Sequence, residues 1–222
     1  MTKAKSSQIS GTYSRHKFYI QNTNSTDELR ALAQAETLQA GRLIGVMSRE
    51  EALSLLRDFL ENSYHLLPVV HEASMRALIN DFYTRLTSNQ RVDPASAALI
   101  LSIAATSAYF WNTGTPSHHT FPSSESASKS SLAWRKAAFE VLDGSRSDTS
   151  LEDVQARTIL SYLIYNTEGL SARSRLLHGW TVAAAREIGL HLVDSPRSNQ
   201  LGDAPIREIK RRVWWHLAST DW

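Results

Sequence analysis

Apolar residues recur along this chain with the spacing of helix faces. The clearest pattern places Met75, Leu78, Ile79, Phe82, Tyr83 and Leu86 at offsets 0, 3, 4, 7, 8 and 11, which all lie on one face of a helix. No segment alternates between apolar and polar residues over the length of a strand, and no βαβ rhythm is visible. The pattern predicts an all-α fold, an irregular bundle of about seven or eight helices that bury their apolar stripes against one another.

Residues that can cap a helix precede several of these stripes. They are Ser25 with Glu28, Ser48 with Glu51, Asp93 with Pro94, and Ser150 with Asp153. Helices are expected to begin there, because a cap side chain accepts a hydrogen bond from an amide of the first turn. Gly189 is placed to follow the end of another helix in a left-handed conformation. Residues 1–24 lack a helical period and are predicted to be a flexible tail, and residues 25–222 to be a helical domain.

Two segments depart from the amphipathic pattern. Residues 94–111 carry no charge, but hydroxyl side chains dilute the run and no basic cluster flanks it, so we expect a buried helix rather than a membrane span. Residues 112–131 contain seven Ser, three Thr and two Pro, a composition that predicts a mobile surface loop. His118 and His119 lie in that loop, and we interpret them as solvated residues rather than metal ligands.

The last two predicted helices carry the remaining stripes. One is Leu176, Leu177, Trp180, Ala184 and Ile188, and the other is Ile206, Ile209, Val213 and Leu217. The final helix also holds a basic stretch: Arg207, Lys210, Arg211 and Arg212. This stretch is typical of a nuclear import signal or a phosphate contact. It also fits a solvated face whose guanidinium groups pair with carboxylates, and we favour that structural interpretation.

Composition excludes several kinds of chemistry. The formal net charge is +2, too small for a polycation that wraps nucleic acid. The chain has no cysteine, which excludes disulfides, thiolate zinc sites and cysteine nucleophiles. No motif combines a nucleophile, a base and an orienting group, and no phosphate-binding glycine loop is present. We therefore predict that the chain is not an enzyme, and we assign it no catalytic, cofactor-binding or metal-binding residue.

Two segments of the C-terminal third resemble a known family. Residues 179–194 read GWTVAAAREIGLHLVD, and residues 208–221 read EIKRRVWWHLASTD. Together they resemble the middle homology region of fungal zinc-cluster transcription factors. The residues that match the family pattern are Gly189, Leu190, His191, Arg211, Arg212, Trp214, Trp215 and Asp221. Residues 59–75 and 151–169 are similar to earlier elements of the same region, so the resemblance extends over residues 48–222.

The resemblance implies a nuclear transcription regulator rather than a catalyst. Members of the family read DNA through an N-terminal cluster in which six cysteines hold two zinc ions. Their helical region modulates activity, senses metabolites or contacts other regulators. The matching residues are expected to maintain the fold, and the family supplies no catalytic residue.

This chain departs from the family pattern in two ways. It lacks the cysteines of the zinc cluster, so DNA binding would need a reader outside residues 1–222. It also ends where the family's helix continues, which predicts an incomplete domain with Trp214, Trp215 and Trp222 short of partners. Two alternatives stay open: a helical small-molecule-binding or enzymatic domain with a pocket between helices, and a dimerisation module that pairs through the last helix.

Overall fold

Seven α-helices and one short 3-10 turn make up the described part of the protein. The structure is a computed structural model that describes residues 47–112, 116–144, 149–195 and 204–220. The helices are α1 (Arg49–Asn62), α2 (Glu72–Thr87), α3 (Pro94–Phe110), α4 (Ser124–Gly144), α5 (Leu151–Glu168), α6 (Ala172–Glu187) and α7 (Ala204–Ser219), and the 3-10 turn is Leu190–Leu192. The predicted all-α fold is confirmed. The predicted tail and the helix start at Ser25 lie outside the described residues.

The helix starts follow from local capping. Ser48 and Glu51 form a complete capping box at α1, Asp93 caps α3 with Pro94 in its first turn, and Ser150 caps α5. Each of these side chains satisfies an amide that would otherwise lack a partner in the first turn. The three predicted starts are therefore confirmed.

The charge-free helix α3 lies at the centre of the bundle. It packs against α1, α2, α4 and α5, and nearly all of its residues are buried. Its buried hydroxyls are satisfied: Ser102 donates to the Ala98 carbonyl at 2.6 Å, and Ser107 donates across to the Leu55 carbonyl of α1 at 2.8 Å. The small alanines and serines of α3 allow neighbouring helices to approach closely. Within the described ranges, none of the helices combines the length and apolar character that a bilayer crossing requires.

The Ser-rich segment is shorter than predicted, because its second half is helical. Helix α4 begins at Ser124, and the Ser123 hydroxyl accepts from the Ser126 amide at 3.1 Å. Farther along, Ser131 is buried and donates to the Ala105 carbonyl of α3 at 2.7 Å. Serine composition predicted a loop over 112–131, and that prediction is wrong for residues 124–131. A local cap and one interhelical hydrogen bond outweigh the low helix propensity of serine.

The first half of the Ser-rich segment is attached to α1 by a buried carboxylate. Asp58 is 5% exposed. It accepts hydrogen bonds from the Ser117 hydroxyl at 2.8 Å, the His118 amide at 2.6 Å and the His119 amide at 3.0 Å. The His118 ring also contacts Glu61 at 2.8 Å. The expectation of simply solvated histidines is therefore incomplete, because Asp58 fixes their backbone.

A cavity of about 10 Å³ lies beside Asp58. It is lined by Asp58, Asn62, Ser63, Ser107, Phe110, Trp111 and Ser117. The buried Ser63 hydroxyl has no hydrogen-bond partner among the described residues. A space of this size accommodates about one water molecule. The cavity is thus a small polar gap between α1, α3 and the segment around Ser117.

Replacement of Asp58 by alanine should destabilise the fold strongly. The substitution leaves two amides and one hydroxyl without their acceptor in a largely buried position, so we expect a loss of about 2–4 kcal/mol in the free energy of unfolding. Urea denaturation of the purified chain measures this. Asp81→Ala is the matched control, because Asp81 pairs with Arg85 on the surface of α2, and its effect should stay within about 0.5 kcal/mol. Equal losses for the two variants would contradict the anchoring role of Asp58.

Candidate functional site

The turn after α6 brings the two family-like segments together. Helix α6 ends at its C-cap Ile188, and Gly189 follows with φ 75° and ψ 22°. This left-handed conformation is strained for residues that have a Cβ, so the predicted role of Gly189 is confirmed. Leu190 then enters the core at 0% exposure. The 3-10 turn that it begins packs against α7.

Arg211 links α7 to this turn. Its Nε lies 3.0 Å from both carboxylate oxygens of Asp194, and its Nη2 donates to Asp194 Oδ1 at 2.6 Å. It also donates through Nη1 to Glu208 on its own helix. The planar guanidinium group matches the geometry of the carboxylate, so the pair fixes the relative orientation of the two side chains as well as their distance.

Arg212 links α7 to a residue 148 positions earlier in the chain. Its Nε donates to Glu208 Oε1 at 2.8 Å, and its Nη1 donates to the Tyr64 hydroxyl at 2.6 Å. Tyr64 lies in the connection between α1 and α2. The basic stretch therefore contains two arginines that pair with acceptors, which is what the structural interpretation of these two residues expects.

We call this set of contacts between the turn after α6, α7 and Tyr64 the α6–α7 junction. It comprises Gly189, Leu190, His191 and Asp194 on the turn, Glu208, Arg211, Arg212 and Trp214 on α7, and Tyr64. The His191 and Trp214 rings lie 5.8 Å apart between centroids. Trp214 is half-buried against the core, so the expectation that it lacks partners is wrong. Trp215 is 62% exposed, and Asp221 and Trp222 lie outside the described residues.

The hydrogen bonds of the junction favour the ionised forms of its carboxyl and guanidinium groups. Hydrogen bonds from Arg211 lower the pKa of the Asp194 carboxyl, and hydrogen bonds from Arg212 and then Arg211 lower that of Glu208. Hydrogen bonds to Asp194 and Glu208 raise the pKa of Arg211. These groups are largely solvated, so the contacts contribute more to orientation than to stability.

A second contact between α6 and α7 involves two histidines. Burial lowers the pKa of His216, and the positive charge that His178 can carry lowers it further. The His178 Nε2 atom is buried and has no hydrogen-bond partner among the described residues. The neutral form of His216 is therefore favoured where the two helices meet.

The buried face of α6 is rotated from the one the sequence predicted. Leu177 is buried, but Leu176 and Trp180 are 58% and 63% exposed. The buried positions also include Ser174 and Thr181, whose hydroxyls donate to backbone carbonyls of the helix or the preceding turn. A sequence pattern counts threonine as polar even when its hydroxyl is buried and hydrogen-bonded to a carbonyl, and this explains the wrong prediction.

Across the described part of the chain, no three histidine, aspartate or glutamate side chains converge to hold a metal ion.

The sequence located six of the junction residues: Gly189, Leu190, His191, Arg211, Arg212 and Trp214. It missed Asp194, Glu208 and Tyr64 as their partners. Only Glu208 carried a local signal, its spacing of three and four residues from the arginines.

Removal of the Arg212 to Tyr64 hydrogen bond should weaken the junction measurably. In a double-mutant cycle of Arg212→Ala and Tyr64→Phe, we expect a coupling energy of about 0.5 kcal/mol. The value is small because the Arg212 side chain is 38% exposed and solvent screens the contact. Urea denaturation of the four proteins measures it. The control pair is Arg76→Ala with Tyr64→Phe, since Arg76 pairs with Glu72 on α2, and its coupling should be indistinguishable from zero.

Acidification should destabilise the packing of α6 on α7. The ordinary pKa of His216 is 6.5 and burial lowers it in the fold, so the unfolded chain binds the proton more readily. The stabilisation from neutral His216 is fully present above pH 6.5 and is lost as the pH falls below that value toward the lowered pKa. Thermal unfolding of wild type and His216→Gln between pH 7.5 and 5 tests this: the variant should lose less stability on acidification. Ala218→Ser on the same helix is the control, and parallel pH profiles for all three proteins would contradict the role of His216.

Comparisons with known proteins identify a family and several relatives. The model of the family described as fungal specific transcription factor domain matches residues 56–220. Transcription factor TAS2 of Pyricularia oryzae is 42% identical over 183 residues, which cover 81% of this chain and 24% of that protein. Probable transcription factor lepB of Aspergillus flavus is 39% identical over 182 residues, which cover 78% of this chain and 32% of that protein.

A more distant relative extends the same picture. The Agnestins biosynthesis cluster transcription factor AgnL11 of Paecilomyces divaricatus is 29% identical over 184 residues, which cover 79% of this chain and 26% of that protein. The chain thus spans about a quarter to a third of the length of these relatives. No solved structure is significantly similar to it. The match begins within α1 and ends with α7, so it includes every residue of the junction, and the chain belongs to the fungal specific transcription factor domain family.

Proposed function

We propose that this chain is the regulatory helical domain of a nuclear transcription regulator. The observation that carries the proposal is the α6–α7 junction, which joins the two family-like segments inside the matched region. The curated relatives are named transcription factors, which supports a role in transcription and hence in the nucleus. DNA contact would come from a zinc cluster outside residues 1–222, because this chain supplies no cysteine ligands.

The proposed partners are other transcription regulators or a second copy of this chain. Support comes from the outer faces of α6 and α7, where Leu176, Trp180 and Trp215 are more than half exposed. Exposed tryptophans are enriched where proteins meet, because they bury a large area on contact. A small-molecule effector would need a site other than the cavity beside Asp58, which measures about 10 Å³.

A reporter assay tests the proposal directly. The 222-residue chain is fused to an unrelated DNA-binding domain, and reporter transcription is compared with that domain alone. We expect the fusion to raise or lower transcription several-fold. Trp215→Ala should lose at least half of this effect without a change in thermal stability, because Trp215 is exposed. Leu132→Ala is the matched control, since Leu132 is an exposed apolar residue of α4.

Three results would contradict parts of the proposal separately. A well-expressed nuclear fusion that leaves transcription unchanged would remove the regulatory role. A full effect of the Trp215→Ala fusion would remove Trp215 from the partner surface. Nanomolar binding of the purified chain to a specific DNA site in physiological salt would overturn the assignment of DNA contact to another segment.

A further inference from the structure

The Ser63 hydroxyl is a buried polar group without a partner among the described residues. Ser63 is 2% exposed and is the C-cap residue of α1. Its backbone groups are satisfied, because its amide donates to the Phe59 carbonyl at 2.9 Å and its carbonyl accepts from the amides of Leu66 and Leu67 at 3.1 Å. Only the hydroxyl is left over. Such a group destabilises a fold unless water or a ligand satisfies it.

The usual local acceptor for this hydroxyl is already occupied. A serine at the end of a helix can donate to the carbonyl four residues before it, which for Ser63 is that of Phe59. This carbonyl accepts from the amide of Ser63 at 2.9 Å and from the amide of Tyr64 at 3.0 Å. A carbonyl oxygen has two lone pairs, so neither is left for the Ser63 hydroxyl.

Ser63 shares the cavity beside Asp58 with other buried polar side chains. Ser63, Asp58 and Ser107 all line this space of about 10 Å³, and each is less than a tenth exposed. The Ser107 hydroxyl donates to the Leu55 carbonyl at 2.8 Å, and its oxygen can still accept a hydrogen bond. A space this small holds about one water molecule, which would meet several of the lining side chains at once.

The Asp58 carboxylate has one acceptor position to spare. Its Oδ2 accepts from the Ser117 hydroxyl at 2.8 Å and from the His119 amide at 3.0 Å. Its Oδ1 accepts from the His118 amide at 2.6 Å and from no other group in the part of the chain that the structure describes. Since a carboxylate oxygen can accept about two hydrogen bonds, a donor in the cavity can occupy the second position on Oδ1.

From these contacts we propose that the cavity is a binding site for one structural water molecule. The water accepts a hydrogen bond from the Ser63 hydroxyl and donates one to Asp58 Oδ1 and one to Ser107 Oγ. Buried waters typically make about three hydrogen bonds. This water connects the end of α1 with α3 and with the carboxylate that holds residues 117–119. The inference concerns the stability of the fold and does not depend on the proposed role in transcription.

A high-resolution crystal structure of the 222-residue chain tests the site directly. We expect an electron-density peak about 2.5–3.0 Å from both Ser63 Oγ and Asp58 Oδ1. An empty cavity would overturn the proposal. A Ser63 hydroxyl that donates to a protein carbonyl instead would overturn it as well.

Thermal unfolding of Ser63→Ala gives an independent test, because the sign of its effect depends on the water. A hydroxyl that binds the water contributes a hydrogen bond, so we expect its removal to lower the melting temperature by about 2–4 °C. Removal of an unsatisfied hydroxyl would instead end a desolvation cost and raise the melting temperature.

Ser88→Ala is the matched control for this measurement. Ser88 is the C-cap residue of α2 and is exposed, so the melting temperature of this variant should stay within about 1 °C of the wild type. A melting temperature of Ser63→Ala that equals or exceeds that of the wild type would overturn the water site.

Discussion

The burial of α3 from its first turn to Ala108 is the constraint on which the rest of the structure depends, and only the rings of Tyr109 and Phe110 at its end are exposed. A helix buried in this way can leave no polar group unpaired, and bulky side chains on it would keep its neighbours at a distance. The sequence of α3 meets both conditions, since its residues are mostly small and its buried hydroxyls donate to carbonyls of α3 or of α1. The neighbouring helices α1, α4 and α5 can therefore approach it closely. Each of them contributes an apolar stripe to one continuous core.

The α6–α7 junction is built on a different principle. Its arginines and carboxylates remain largely in contact with water, where ion pairs contribute little to stability. These contacts orient α7 instead. Arg211 binds Asp194 in the connection that leads from α6 to α7, and Arg212 binds Tyr64 in the connection between α1 and α2. The apolar residues Ile209, Val213 and Leu217 bury α7. The arginines determine its register.

Local features of the fold could be predicted from the sequence, and contacts between distant segments could not. The capping residues Ser48, Asp93 and Ser150 act within three positions of their own amides, so their spacing alone reveals them. Asp58 acts on His118, 60 residues away, and no periodicity records such a pair. The family resemblance identified Arg211 and Arg212 on α7. It did not identify their partners Asp194 and Tyr64, which are distant from the arginines in the sequence.

Errors in the prediction arose where hydroxyl residues took positions that apolar residues usually fill. Ser131 and Thr181 are buried because a carbonyl lies within reach of each hydroxyl. The serine-rich start of α4 was thus predicted to be a loop, and the core face of α6 was assigned to Leu176 and Trp180 instead of Thr181. Periodicity counts residue types, whereas burial depends on whether each polar atom finds a partner.

The hydrogen bond between Arg212 and Tyr64 joins residues 148 positions apart. During synthesis on a ribosome the segment around Tyr64 emerges long before α7 is made, so this hydrogen bond forms only after the intervening helices are available. Its large separation along the chain makes it a slow contact to form, because closing so long a loop costs conformational entropy.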